Sequence, residues 1–324
     1  MHFSIPPVTL LSAIAGAALL AAPPDPAPTG SANQRVSYEG RLEVRLESVE
    51  RYPYAGQPID IRVTFRNPTG SFMSIQADLF DMARLKALDA EDKPLEMDPG
   101  APVEVKPAET PPEEIFPRRE IQRDYRLSAR FPGLSRVGRY TVVWEHPTVP
   151  SRSAPVKVIR AYHADRAYLA DVRTSMGKFS IEFFPSVAPK NVKNFIDLAN
   201  SGFYDRMQFH MIIPGILIQA GDSKGDGNGY PGYRVPPEFS RIRHLKGTVS
   251  MWHHHTTVDS GSQFFVCLSD QSQFNGNYTV IGQVKSGLDV VEKIGQVPTT
   301  EDRGRRPFLP LQGVTIQGIR IKER

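Results

Sequence analysis

Apolar and polar residues alternate without a break along residues 41–47 and again along residues 59–65. A period of two puts every second side chain on one face, which suits a strand with one buried side and cannot serve a helix. Tyr54-Ala55-Gly56-Gln57-Pro58 supplies a turn between the two runs, and Asn67-Pro68-Thr69-Gly70 closes the second. The pattern returns in Gly138-Arg139-Tyr140-Thr141-Val142-Val143-Trp144 and in Val156-Lys157-Val158-Ile159. Short alternating strands split by turn residues predict a β-sandwich over residues 36–160. Residues 77–88 leave two readings open, a short helix or a strand, because Leu79, Met82, Leu85 and Leu88 recur every three residues. From Pro94 to Pro117 there are seven prolines. Proline removes backbone donors and blocks helices and central strands, so this stretch is expected to be a long surface loop.

The chain of 324 residues is long enough for two domains, at roughly 100–200 residues each. Residues 8–22 are apolar and end in small residues, and Pro23-Pro24-Asp25-Pro26 follows at once. The run is short for a membrane span, which needs about 20 apolar residues. Residues 1–22 therefore read as a cleaved signal peptide, with an uncleaved membrane anchor as the alternative, and residues 23–35 as a flexible tether. The expected location is periplasmic or otherwise extracytoplasmic, membrane-anchored if the segment is retained. The n-region is unusual in having no Lys or Arg, only His2. A single cysteine, Cys267, excludes an intrachain disulfide and lies in an apolar run where a buried, inert thiol is expected. With 39 basic against 35 acidic residues the charge is mild, and no nucleic-acid partner is expected.

After residues 160–166 the pattern changes. Residues 168–184 read as a hairpin turning at Gly177. Pro189 can open a helix in which Val192, Phe195, Ile196 and Ala199 share one face, with Gly202 placed to cap it. A second helix is expected from Leu288 to Ile294, stopped by Gly295, and a last strand over residues 314–321. Between them come ordered blocks: Val187-Ala188-Pro189-Lys190-Asn191-Val192-Lys193-Asn194-Phe195, Phe209-His210-Met211-Ile212-Ile213-Pro214-Gly215, Gln219-Ala220-Gly221-Asp222, Gly247-Thr248-Val249-Ser250-Met251, Gly261-Ser262-Gln263-Phe264-Phe265 and Asn275-Gly276-Asn277-Tyr278-Thr279-Val280-Ile281-Gly282. In order and spacing these blocks resemble the cyclophilins across almost the whole segment from Tyr168 to Ile321, giving a domain over residues 165–324. The resemblance implies a closed β-barrel with two helices and a peptidyl-prolyl cis-trans isomerase. The first half resembles, in style, the immunoglobulin-like modules of exported bacterial proteins, giving a mainly β chain overall.

Isomerising an X-Pro bond requires neither nucleophile nor metal. The barrier of about 18–20 kcal/mol comes from amide resonance. A catalyst has to hold the proline ring in an apolar pocket, grip the flanking carbonyls, and offer an N–H to the imide nitrogen as it gains a lone pair. The resemblance implies that an arginine after the Phe-His pair supplies this donor. Here the matching residue is Met211, whose thioether has no hydrogen to give. Losing the donor implies weakened activity, or, as the alternative, a non-catalytic module that binds proline-containing peptide segments of client proteins. Gln219 and Gln263 match the polar positioning residues and Phe265 the pocket aromatic. Ile216, Leu217, Trp252, Phe274 and Tyr278 stand at apolar and rim positions, and His253 and His254 border the peptide groove. Ile216, Trp252 and Gln273 depart from the residues usual in the family. One extra residue before Gly261 makes a bulge possible, the bend that metal binding by His253-His254-His255 would need; a related alternative is that His253 or His254 replaces the missing donor. His210 matches a histidine that the family buries. Three consecutive histidines, His253-His254-His255, point to alternating faces of a strand and rarely chelate one ion, so no metal or other cofactor is expected. Asp222 with residues 225–229 lacks the spacing of a calcium loop and reads as a glycine turn.

Overall fold

In the computed structural model, residues 36–38, 42–75, 77–101, 113–146, 149–253, 259–300 and 308–324 are described. The segments read as an export signal and tether, residues 102–112 of the proline-rich stretch, and His254 and His255 lie outside them. The chain divides into two compact units, and the division falls between Ala161 and Tyr162. Among the described residues no helix is long and apolar enough to cross a membrane.

The N-terminal unit is sheet-rich. One sheet has the order β1-β2-β3-β7, from β1 (Val36–Tyr38), β2 (Leu42–Ser48), β3 (Asp60–Arg66) and β7 (Glu120–Arg126). A second has the order β5-β8-β9, from β5 (Leu85–Leu88), β8 (Gly138–His146) and β9 (Val149–Val158). β4 (Met73–Ile75) and β6 (Glu113–Ile115) form a ribbon. The alternation read from the sequence appears directly as burial: Leu42, Val44 and Leu46 of β2, Ile61, Val63 and Phe65 of β3, and Tyr140, Val142 and Trp144 of β8 enter one shared core. Phe65 meets Phe80 and Trp144 edge-on, with centroids 5.1 and 5.8 Å apart.

Residues 77–88 hold both conformations that their spacing left open. 3-10 turns at Ala77–Phe80 and Met82–Arg84 run into β5, so a repeat of three suits the turns and a period of two suits Leu85 and Ala87. The long-loop expectation needs correcting at both ends. The Leu95 amide donates to Ala87 O, folding the start of the stretch back on β5, and β6 takes residues near its end into the ribbon. β7 carries no strong alternation of apolar side chains, and one helical turn, α1 (Leu127–Arg130), follows it.

Among the described residues the C-terminal unit has one eight-stranded sheet of order β12-β13-β15-β14-β16-β11-β10-β17 and two α-helices. Its strands are β10 (Tyr168–Thr174), β11 (Gly177–Phe183), β12 (Met211–Ile213), β13 (Leu217–Ala220), β14 (Thr248–His253), β15 (Ser260–Cys267), β16 (Thr279–Ser286) and β17 (Ile316–Glu323). α2 (Pro189–Asn200) starts on its proline and buries Val192, Phe195, Ile196 and Ala199, and α3 (Leu288–Gly295) buries Val290, Val291 and Ile294. The last strand begins and ends two residues later than its sequence pattern indicates. The edge strands β12 and β17 are not paired as a ladder. Instead the backbone before β12 is stitched to the start of β17 and the residues just before it by Arg206 N to Ile316 O, Ile316 N to Met207 O and Phe209 N to Val314 O. β15 is buried along its whole length, so both faces have work to do. Phe264 packs with Phe195 and Tyr204 in the core, whereas its neighbour Phe265 must face the other way, into a separate apolar cluster.

Candidate functional site

That second cluster is built by register. The β12–β13 hairpin turns at Gly215, which has φ 72°, and sets Met211 opposite Gln219 and Ile213 opposite Leu217. β13 lies beside β15 and sets Gln219 opposite Phe265 and Leu217 opposite Cys267. Residues directly opposite share a sheet face, so Met211, Gln219 and Phe265 form one row and Ile213, Leu217 and Cys267 the next. Phe274 and Tyr278 complete the cluster, and Ile216, Trp252 and Phe308 pack against it. The structure thus brings together Met211, Ile216, Leu217, Gln219, Trp252, Phe265, Phe274 and Tyr278, from segments up to 67 residues apart in the chain (278 − 211). The buried Cys267 thiol is pushed up to about 12 by burial, which removes it as a nucleophile at neutral pH.

A chain of amides fixes the polar part. Gln263 Nε2 lies 2.9 Å from both Gly227 O and Gly229 O. Carbonyls only accept, so the Gln263 amide can stand in one orientation, with Oε1 turned to Gln219. Gln219 Nε2 then donates to Gln263 Oε1 at 2.8 Å. That leaves Gln219 Oε1 with no hydrogen-bond partner among the described residues, on a residue only 1% exposed. The glycine loop is itself held by Asp222, whose carboxylate accepts from Lys224 N and Gly227 N. The loop that resembled a calcium site is a brace for Gln263.

Trp252 and His253 both reach Tyr278, which neighbours on a regular strand would not do. The β14–β15 register shifts between Met251 and His253, and this bulge turns both rings toward the same partner. Trp252 lies 5.4 Å from Tyr278 at 18°, and His253 lies 4.7 Å away at 26°. Tyr278, expected at a rim, is buried under these rings, and burial pushes its phenol up to about 12. His253 Nε2 is 2.8 Å from Asn277 O, so the hydrogen there is given to a carbonyl and not to the pocket. His253 does not replace the missing donor in this arrangement. His254 lies outside the described residues, and His210 is buried as the resemblance implied.

His244 is a site residue that the sequence did not disclose. It is 1% exposed and stacks on Phe265 at 15°, edge-on to Phe274 and Tyr278. Its backbone amide and Nδ1 meet Asn275 Oδ1 at 2.7 and 3.2 Å, and Ser250 Oγ is 2.9 Å from Nε2. A neutral ring with the proton on Nδ1 satisfies both contacts. No periodicity marks this loop position, and its partner Asn275 stands 31 residues away. Burial holds the imidazole below the usual histidine range, partly opposed by Asn275. The unfolded chain therefore takes up a proton first as pH falls through about 6.5. Stability from this group is present above that pH and is lost on acidification toward the folded-state value. The urea midpoint should drop between pH 7.5 and pH 5, and the drop should be smaller in His244→Gln. Equal drops in the two proteins would remove His244 from this role.

Chemically, the site offers an apolar bed, two oriented amides and an unmet acceptor, with no nucleophile and no group of metal ligands among the described residues. Residues 169–321 match the family model described as cyclophilin type peptidyl-prolyl cis-trans isomerase/CLD. A peptidyl-prolyl cis-trans isomerase-like 1 of Aspergillus niger is 37% identical over 155 residues, covering 46% of this chain and 92% of that protein. A peptidyl-prolyl cis-trans isomerase of Synechococcus elongatus is 41% identical over 127 residues, covering 39% and 87%. The crystal structure of a cyclophilin type isomerase from Cryptosporidium parvum is 28% identical, covers 49% of this chain and 99% of that one, and superposes with a TM-score of 0.45.

Proposed function

We infer the function of this chain from its family: through residues 169–321 it belongs to the cyclophilin-type peptidyl-prolyl cis-trans isomerases. Isomerase function is supported by that membership. Our reading of this chain is an isomerase of reduced power that binds X-Pro segments of client proteins in the cluster around Phe265. The observation that carries the reduction is Met211, set opposite Gln219, whose Oε1 is left without a partner. The twisting imide nitrogen meets a thioether where an N–H is needed, and loss of one such donor costs roughly two to three decades of rate. The same observation favours a second reading, a module that binds the segment without turning it over.

Three further proposals concern the fold and the clients. The N-terminal unit is an immunoglobulin-like sandwich, supported by two sheets around one core and by Tyr140, whose hydroxyl near the start of β8 lies 2.9 Å from Arg136 O. The C-terminal sheet is a closed barrel, supported by the stitch between residues 206–209 and 314–316. We also propose that the clients are exported proteins, from the apolar run of residues 8–22.

Exchange NMR on Xaa-Pro peptides with the full chain tests the reading. Peptide binding with cis/trans exchange well below that of an arginine-bearing cyclophilin is expected. Exchange as fast as that relative's overturns the reduced reading, binding with no acceleration leaves the binding module, and absence of binding overturns both.

A further inference from the structure

Phe308 belongs to none of the motif blocks, yet it packs against the apolar cluster of Met211, Ile213, Leu217 and Phe265. Its backbone is held where a phenylalanine is least expected. With φ 59° it lies in the left-handed region, which crowds any residue with a Cβ and makes a bulky one an outlier. Among the described residues three other non-glycines have a positive φ, Asp92, Arg118 and Arg206. Those three are exposed and charged, whereas Phe308 is apolar and half-buried.

Hydrogen bonds on both sides hold this conformation. Phe308 O accepts from Ile212 N at 2.9 Å, which ties it to β12 between Met211 and Ile213, the two residues of that strand in the cluster. The next residue, Leu309, is clamped to Thr300. Thr300 N donates to Leu309 O at 2.9 Å, and Leu309 N donates to Thr300 Oγ1 at 3.0 Å. A strained residue persists only where its surroundings over-determine it, and such strain gathers at binding sites. Here the strain keeps a ring on the cluster while leaving part of that ring uncovered. Packing alone would favour a ring that is covered completely, so the open part is available to a ligand.

We propose that Phe308 is a wall of the proline site and sets its preference for proline, its ring closing on the pyrrolidine of a bound X-Pro segment. The proposal rests on the apolar cluster being where the proline binds. The C–H bonds beside a proline's imide nitrogen carry partial positive charge and the face of an aromatic ring is negative, so the two surfaces suit each other beyond their apolar area. An alanine in place of the proline offers less area and no ring to face.

The test uses the full chain, one X-Pro peptide, and the same peptide with Ala in place of Pro. Affinities are read by NMR titration for the natural chain, Phe308→Gly, Phe308→Asn and Phe308→Tyr, with a denaturant midpoint for each. Gly and Asn both tolerate a positive φ, so they remove the ring and keep the backbone. Each should bind the X-Pro peptide roughly fivefold to tenfold more weakly, the loss expected for about half of a phenylalanine's apolar burial. Each should bind the Ala peptide as before, and the midpoint should change little because relief of strain offsets lost packing. Phe308→Tyr, which keeps the ring, should bind as the natural chain does. Unchanged X-Pro affinity in the Gly and Asn variants overturns the wall and leaves the proline site standing. A loss that strikes both peptides alike, that appears equally in Phe308→Tyr, or that comes with a matching fall in midpoint also overturns it, because each marks a structural prop. A natural chain that binds the X-Pro peptide no tighter than the Ala peptide overturns the proline site, and the wall with it.

Discussion

A Met211→Arg variant is expected to isomerise Xaa-Pro peptides roughly a hundredfold faster than the natural chain, the lower end of what one transition-state donor contributes. Met211 and Gln219 are cross-strand partners on the face that carries Phe265. An arginine at 211 would bring donors to that face where the natural side chain has none. One can reach the imide nitrogen of a bound proline while another meets Gln219 Oε1, the acceptor now unpartnered. An unmet buried acceptor costs about 1–3 kcal/mol, and recovering part of that offsets the desolvation of the incoming guanidinium at a position only 7% exposed. Thermal stability should therefore change little. The gain should appear in the exchange rate at saturating peptide more than in affinity, because the new contact is strongest when the bond is twisted. Met211→Leu, which changes shape but adds no donor, should leave the rate where it is. A Met211→Arg protein that binds peptide as before and isomerises no faster would show that the methionine is not what limits the site.

The residues that make this prediction possible were legible in the sequence through its family resemblance. Met211, Gln219, Gln263 and Phe265 lie in short motif blocks whose order and spacing carry that resemblance, and Leu217 falls between two of them. The hairpin turning at Gly177 and the α2 helix were equally readable, because proline, glycine and an apolar stripe mark their ends and faces. Legibility fails where function depends on contacts between loops. His244 reaches Ser250 and Asn275 from a segment with no period, and nothing local distinguishes a buried histidine from an exposed one there. Tyr278 could be placed near the pocket, but not beneath Trp252 and His253, because that burial needs the bulge in β14. In the first unit, β6 and β7 escaped notice since their strand character comes from pairing with β4 and β3, not from their own side chains.

Gly229→Ala should be far more disruptive than its size suggests, lowering stability by about 2–3 kcal/mol and peptide affinity by at least tenfold. A Cβ there would lie 1.9 Å from Asp222 Oδ1 and 2.6 Å from the amides of Ser223 and Lys224. The carboxylate cannot retreat without giving up Lys224 N and Gly227 N, the two bonds that hold the loop closed. Once the loop opens, Gly227 O and Gly229 O leave Gln263 Nε2, and the Gln263 amide loses the contacts that fix its orientation. Among the described residues the Gln219 amide is oriented through Gln263 alone, so the effect crosses from the Asp222 loop to the row beside Met211 and Phe265. Gly225→Ala separates this relay from ordinary backbone strain. Gly225 has φ 70°, and a Cβ added to it would meet nothing within 4 Å, so alanine there bears only the left-handed penalty of about 1–2 kcal/mol. Denaturant midpoints for both variants, with the side-chain amide signals of Gln219 and Gln263 followed by NMR, decide the matter. Gly229→Ala should shift both amides and weaken peptide binding, whereas Gly225→Ala should leave the amides in place. If the two alanines act alike on amides and affinity, Asp222 and its loop are a surface turn and the orientation of Gln219 has another source.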